Sequence, residues 1–364
     1  MTFGEQNSEA EGHRQLDAAF ERGVNFLDTA EIYPVKPAPE TQGRTSEIVG
    51  SWLKSRQRCD VVLATKVAGR STGLAWVPAN RTVPRGAEAT PVLDAASVRA
   101  GLEGELRRLG TDYVDLFQLH WPDRPVPAFG RNRYRRADAA PAPGAPAFAS
   151  FEELVGEIGK LIAEGKVREW GLSNESTYGV CQHVATCDRL GVRRPVAIQN
   201  SFSLLHRSFE GELAEACHVE GLGLLPWSAL AGGAISGVRT RGRAKRDGGL
   251  TKKQKYARGT PPNSRFGLFA GRYDRFDPGK NPRVHAAMER YAAIAEAAGM
   301  TSAQLGYAFC RSREFIPSTI IGATTVEQLH ENLDAFAAPA LLGDDVLERI
   351  DAVHLDHRDP SLID

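Results

Sequence analysis

Short apolar, β-branched runs recur along this chain, and each is separated from the next by a longer amphipathic stretch. The runs are Val24–Asp28, Val61–Val67, Val114–His120, Val167–Ser173, Val196–Gln199, Leu222–Ser228 and Phe315–Gly322. The stretches between them carry apolar residues three or four apart, as in Leu16/Ala19/Phe20, Ile48/Trp52, Leu102/Leu106/Leu109 and Leu154/Ile158/Leu161. Continuous apolar strands alternating with one-sided helices cannot make an antiparallel sheet with a wet face. They specify a parallel sheet covered by helices. Seven such units favour a (β/α)8 TIM barrel over an open doubly wound sheet. A length of 364 residues suits one barrel domain spanning the whole chain, and neither a boundary nor an internal repeat interrupts it. Helix starts are marked at Thr301–Gln304 and Thr325–Gln328, which have the capping-box spacing.

Three long stretches break the alternation: Ala68–Leu93, Trp121–Ser150 and Ala229–Lys280. Each follows a strand and is rich in Gly, Pro and Arg, so each reads as a loop. In a parallel barrel the loops after strands lie on the face that carries chemistry, and long ones there form lids and binding walls.

Charge and cysteine content narrow the class. Forty-five basic and 45 acidic residues balance, which gives no reason to expect a nucleic acid or an anionic membrane as partner. Basic residues cluster only locally, at Arg131–Arg136 and Arg239–Lys255. No uninterrupted apolar stretch is long enough to span a bilayer, and no basic-then-apolar leader is present. Cys59, Cys181, Cys187, Cys217 and Cys310 form no Cys-x-x-Cys pair, so a reducing, cytoplasmic setting is expected. No metal site is expected either: His354 and His357 lie in a charged terminal segment with no third ligand near in sequence. No feature sets an oligomeric state.

The strand ends carry the candidate chemistry. The first ends in Phe26-Leu27-Asp28-Thr29-Ala30-Glu31-Ile32-Tyr33, the second in Thr65-Lys66-Val67, and the third in Gln118-Leu119-His120-Trp121-Pro122. A barrel brings these ends to one mouth. The set suits reduction of a carbonyl, because hydride addition leaves an alkoxide that needs a proton. Tyrosine can supply it, although its ordinary pKa of about 10 is high for the task. A neighbouring lysine ammonium is expected to lower that value, a buried carboxylate to hold the ammonium, and a histidine to orient the carbonyl oxygen.

These segments resemble the active-site segments of the aldo-keto reductase superfamily, in particular its bacterial Tas-type subgroup, similar in turn to the β subunits of voltage-gated potassium channels. The resemblance runs from Thr2-Phe3-Gly4-Glu5-Gln6 through Pro39–Gly43 and Ser203–Glu210 to the last helix. It implies a catalytic tetrad of Asp28, Tyr33, Lys66 and His120, NADPH as cofactor, and an aldehyde or ketone as the small-molecule substrate. A regulatory, partner-binding module of the channel-subunit kind is the alternative. Those subunits carry Asn where His120 stands, so His120 favours an enzyme.

No Gly-x-Gly-x-x-Gly occurs, so the cofactor must be held without a dinucleotide-binding fingerprint. The resemblance implies Ser173, Asn174 and Gln199 for the nicotinamide carboxamide and Trp227 for its ring face. It also implies Ser228, Ala229, Leu230 and Ala231 for the pyrophosphate. Arg265 would reach the phosphates through its forked donors. Gly322, Thr324, Gln328, Glu331 and Asn332, at a helix start, would take the adenosine end. Ser236-Gly237-Val238 departs from the family's Ser-Gly-Lys and removes one expected cation.

Gly69-Arg70-Ser71-Thr72-Gly73 has the spacing of a hydrolase elbow, but the following Leu74–Pro91 reads as a proline-containing loop where that motif needs a helix. One further expectation concerns the start of the chain. Met1–Gln6 resembles the loop after the family's first strand. The N-terminal hairpin and most of strand 1 are therefore expected to be missing, which places a natural start upstream and leaves a gap between Val24–Asp28 and Phe315–Gly322.

Overall fold

The computed structural model describes residues 1–81, 91–135, 140–141, 143–236, 265–337 and 342–363. Six parallel strands lie side by side in chain order: β1 (Phe26–Asp28), β2 (Val62–Val67), β3 (Val114–Leu119), β4 (Val167–Ser173), β5 (Ala197–Gln199) and β6 (Gly223–Leu224). Helices alternate with them: α1 (Glu9–Glu21), α2 (Arg44–Leu53), α3 (Trp76–Arg81), α4 (Ala95–Leu109), α5 (Phe151–Ala163), α6 (Thr177–Leu190) and α7 (Glu212–Glu220). The short α8 (Arg265–Leu268) precedes α9 (Pro282–Ala297), α10 (Ser302–Arg311), α11 (Val326–Ala337) and α12 (Asp344–Asp356). A parallel sheet in sequential strand order, wrapped by helices, is the barrel architecture.

Every apolar spacing read from the sequence faces this interior: Leu16, Trp52, Leu102, Leu109, Leu154, Ile158 and Leu161 are all buried. The main core lies between the sheet and the helices and includes Leu63, Val67, Phe117, Leu119, Trp170, Leu172 and Ile198. A second, smaller set fills the inside of the curl, where Ala64, Leu116, Ala197 and Leu225 meet Phe26 and Ile320. Successive strand residues point to opposite faces, so a strand buried on both faces reads as an unbroken apolar run. Polar interruptions of such a run, like Gln118, mark the inner face. Gly171 lies opposite Gln118 in the register. A Cβ at Gly171 would stand 2.7 Å from the Ala197 carbonyl oxygen, so only glycine lets β4 approach β5 this closely.

The strands are shorter than the apolar runs predict, especially at β6. Backbone bonds nevertheless continue the pairing past it, from Leu225 N–H to Ile198 at 2.8 Å and from Trp227 N–H to Asn200 at 3.1 Å. The seventh run, Phe315–Gly322, is not a regular strand. It follows β6, with Leu224 N–H donating to Phe315 O at 2.8 Å and Ile320 N–H to Pro226 O at 3.1 Å. Pro226 and Pro317 lack N–H groups, and Pro317 faces Gly223, so a continuous ladder cannot form here. Across from it, β1 pairs with β2 alone among the described residues. Side chains, not backbone bonds, meet in between: Val24 and Ile321 pack with Ala19, Leu329 and Leu333. The N-terminal segment also reaches across, with Asn7 Nδ2 donating to Thr324 O at 2.8 Å.

Two local readings need correction. The stretch 74–91 is not all loop, since Trp76–Arg81 forms α3, held by the buried Arg81. Thr301–Gln304 is a complete capping box. At Thr325–Gln328 only half of one forms. The Thr325 hydroxyl accepts from Gln328 N–H at 3.2 Å, while the Gln328 side-chain Oε1 accepts from the Thr324 N–H and the Thr324 hydroxyl, at 3.1 and 2.8 Å. Gly237, Val238, Arg136 and the basic run 239–255 lie outside the described residues. No described helix is long and apolar enough to cross a membrane.

Candidate active site

The C-terminal ends of the strands converge on a group built around one carboxylate. Asp28, at the end of β1, accepts from Lys66 Nζ at 2.6 Å through Oδ2. Its Oδ1 accepts from Gln199 Nε2 at 2.9 Å and Gln118 Nε2 at 3.3 Å. Lys66 is fully buried and donates a second bond to the Thr29 carbonyl oxygen at 2.8 Å. Burial pulls the Lys66 pKa below the ordinary lysine value, with the Asp28 charge and hydrogen bond acting against it.

Tyr33 lies on the loop after β1. Lys66 Nζ stands 5.1 Å from the centre of its ring, and the His120 ring meets it edge-on at 5.7 Å. Burial pushes the Tyr33 hydroxyl well above the ordinary tyrosine value. The Asp28 charge and Tyr273 add to this, while Arg265 and Arg272 oppose it. The net direction is the opposite of the lowering expected from Lys66, because burial of the phenol outweighs the nearby cations. A neutral phenol, the proton-donating form, results. Burial also pushes His120 well below the ordinary histidine range, and the Lys66 charge adds to this. The imidazole is thus neutral near pH 7, and its buried Nδ1 has no hydrogen-bond partner among the described residues.

Two buried ion networks hold these loops. Glu31, two residues before Tyr33, takes both Arg81 Nε and Nη2 at 2.9 and 2.8 Å, and the Ala68 N–H at 2.6 Å. Glu105, on α4, accepts from Ser46 Oγ at 2.7 Å, from Arg108 Nε at 2.8 Å and from the Thr65 hydroxyl. It fixes β2 one residue before Lys66. An aromatic wall rises on the β3 side, where Trp121 sits 4.8 Å from His120, Phe129 is 6.2 Å from Trp121, and Trp227 is 6.4 Å from Phe129.

The candidate cofactor residues fall into separate groups. Ser173 and Gln199 are opposite each other in the register, and Ser173 Oγ donates to Gln199 O at 2.8 Å. Asn174 Nδ2 donates to His120 O at 2.9 Å and to Ser173 Oγ at 3.1 Å. These three therefore adjoin the tetrad directly. Trp227 pairs with the segment just after Gln199, its N–H donating to Asn200 O at 3.1 Å, and its buried Nε1 has no hydrogen-bond partner among the described residues. Ser228–Ala231 form a tight turn with Ser228 and Ala231 in the left-handed region, at φ 64° and 49°. Its Ser228 Oγ accepts from Gly232 N–H at 3.1 Å. Arg265 lies 5.4 Å from the Tyr273 ring and close enough for its charge to act on Tyr33. The 322–332 residues form their own cluster at the start of α11, where Asn332 Nδ2 donates to Gly322 O at 3.1 Å. Glu331 lies one turn along the same helix. Ser71, from the elbow spacing, has no histidine among its hydrogen-bond partners in the described residues.

Sequence reading missed Gln118, Glu31, Arg81 and Glu105. Gln118 had a signal, a lone amide inside an apolar strand. The others did not, because a carboxylate on a helix and an arginine tens of residues away look solvated until the fold pairs them.

A carboxylate-held lysine, a tyrosine and a histidine thus gather at the ends of successive parallel strands, and comparison with known proteins agrees. A sequence model of the Aldo/keto reductase family matches residues 1–354. The chain belongs to the aldo/keto reductase family. Within it, the chain is similar to "Protein tas" of Escherichia coli (strain K12), 39% identical over 97% of this chain and 92% of that protein. An "Aldo-keto reductase" of Babesia bovis is 30% identical over 83% of this chain and 99% of its own length. A "Probable voltage-gated potassium channel subunit beta" of Oryza sativa subsp. japonica is 29% identical over 97% of this chain and 90% of its own. For an aldo/keto reductase the general activity is oxidoreduction of carbonyl compounds.

Proposed function

We propose that this aldo/keto reductase reduces an aldehyde or ketone to an alcohol with NADPH, residues 1–364 acting as one barrel domain. The observation that carries the reading is the Asp28–Lys66–Tyr33–His120 group at the strand ends, with Tyr33 neutral and buried. The donor set fits a nicotinamide: Ser173, Asn174 and Gln199 offer amide and hydroxyl groups to a carboxamide, and Trp227 offers a flat face. The nicotinamide supplies the hydride when bound.

The residues of the chain do the rest. Tyr33 gives its phenolic proton to the substrate oxygen as negative charge builds there. Lys66, positive and 5.1 Å from the phenol ring, stabilises the phenolate left behind, and Asp28 keeps that ammonium in place. His120, neutral and beside Tyr33, is placed to orient the same oxygen. Trp121, 4.8 Å from His120, lines the mouth beside it. Arg265 and the Thr324–Asn332 segment, including Gln328 and Glu331, support NADPH over NADH, because an arginine and a helix N-terminus both favour an added phosphate. Five free cysteines suit a reducing compartment such as the cytoplasm.

The likeness to a channel subunit supports the other reading, a cofactor-binding partner module. A turnover screen of aldehydes and ketones with NADPH separates the two. Oxidation of NADPH that depends on the carbonyl compound is expected; binding of NADPH without turnover of any compound would favour the module.

A further inference from the structure

Asn174 is a non-glycine residue in the left-handed region, at φ 52°. Asn tolerates this better than most residues, but the conformation persists only where its surroundings impose it. On one side it is held by its own N–H to Gln199 O at 3.2 Å and by its side chain to His120 O at 2.9 Å. On the other side the chain is clamped through Glu175. The Glu175 N–H donates to Asn200 Oδ1 at 3.3 Å, and Asn200 Nδ2 donates back to Glu175 O at 3.0 Å. Its carboxylate takes the Ser176 N–H at 2.7 Å and both arms of Arg124, Nη2 at 2.6 Å and Nη1 at 3.2 Å.

Arg124 belongs to a different loop. It lies four residues after His120, with its guanidinium over Phe151 and Tyr178 at 5.2 and 5.5 Å. The Glu175 carboxylate is almost wholly buried. Room for the pair is made by Gly179, where a Cβ would stand 2.1 Å from the Glu175 carboxylate and 2.3 Å from Arg124 Nη2. Gly179 is itself pinned, since its carbonyl bonds His183 Nδ1 at 2.8 Å and the His183 ring abuts Phe151 at 4.7 Å.

From this juxtaposition we infer that Arg124 and Glu175 are positioning residues for cofactor binding. They lock the loop after β3 to the loop after β4, so that Asn174 presents its amide at a fixed angle beside His120. This rests on the NADPH reading above. A forked guanidinium on a buried carboxylate fixes direction as well as distance, which a lysine in the same place does not.

The test is a fluorescence titration of NADPH with the full chain, alongside steady-state kinetics and urea unfolding. Arg124→Met and Gly179→Ala are expected to raise the NADPH dissociation constant about tenfold, the scale of one misaligned hydrogen bond. Arg124→Lys is expected to recover part of the loss. KM for the carbonyl substrate is expected to change less than the NADPH dissociation constant, because His120 is also held from β2, its N–H donating to Val67 O at 2.9 Å. Variants that bind NADPH as the wild type does overturn the inference. So does a loss of activity in step with the folded fraction at unchanged dissociation constant, since that is a structural role alone. A wild-type chain that does not bind NADPH removes the cofactor reading itself, and the inference with it.

Discussion

The Asp28–Lys66 pair allows a quantitative test of how the site is held. Asp28→Asn keeps the shape of the side chain and one accepting oxygen but removes the charge facing a fully buried ammonium. Breaking a buried pair from one side costs about 3–5 kcal/mol. Lys66 retains the Thr29 carbonyl at 2.8 Å, which places the cost at the low end, about 3 kcal/mol. Spread over an unfolding entropy of roughly 2.1 cal/mol/K per residue for a chain of this length, that is a fall in Tm of about 4 °C. The sign with pH follows from Lys66. Burial already lowers its pKa in the folded state, and losing Asp28 lowers it further, so the unfolded chain binds more protons at neutral pH. Stability of the variant therefore rises with pH up to the ordinary lysine value near ~10.4, and its deficit against the wild type shrinks. Adding Lys66→Met removes the orphaned charge, so the double variant is expected to be at least about 2 kcal/mol more stable than the sum of the single effects implies. Equilibrium urea unfolding of all four proteins measures this. Additivity within about 0.5 kcal/mol, or a deficit that grows with pH, would refute the claim that the pair is a buried charge–charge contact.

Tyr33→Phe preserves the ring that meets His120 and removes only the proton; kcat for carbonyl reduction is expected to fall by about 10²- to 10⁴-fold, with the NADPH dissociation constant unchanged in a fluorescence titration. NADPH is expected to bind more tightly than NADH, and Arg265→Ala to narrow the difference; equal constants for the two cofactors in the wild type remove the roles given to Arg265 and the Thr324–Asn332 segment. His206 is buried and its pKa is pushed down to about 4. Its neutral form is therefore the one the fold accepts, and stability is expected to fall by about 3 kcal/mol as pH drops from about 6.5 towards 4. His206→Gln should flatten that part of the urea-unfolding profile.

Most of the architecture could be read in advance because buried parallel strands announce themselves as unbroken apolar runs. The meeting of the candidate residues was readable for a related reason. Strand ends in a barrel converge, so Asp28, Lys66 and His120 meet once the strands are placed, without any knowledge of the loops. Departures came where a neighbour overrode the local pattern. Prolines 226 and 317 kept the seventh run out of the ladder although its composition is strand-like. Trp76–Arg81 is helical, and its Arg81 pairs with the buried Glu31, a partner that no window of sequence around residue 80 contains. Tyr33 was misjudged in the same way. A cation beside a phenol favours the phenolate, but full burial of the phenol raises its pKa by more, and burial is a property that spacing along a chain does not encode.

Asp28 takes its three side-chain donors from Lys66 on β2, Gln118 on β3 and Gln199 on β5. Four strands are thus tied across the hollow of the sheet at one carboxylate. That carboxylate works as a gauge of curvature: the donors can reach it together only when the sheet is bent by the right amount. Flattening the curl, or letting one strand end come loose, separates Lys66 from its anchor before the outer helices have lost their packing. Catalysis in this protein should therefore be among the first properties to fail under mild denaturant, with activity fading ahead of helix content.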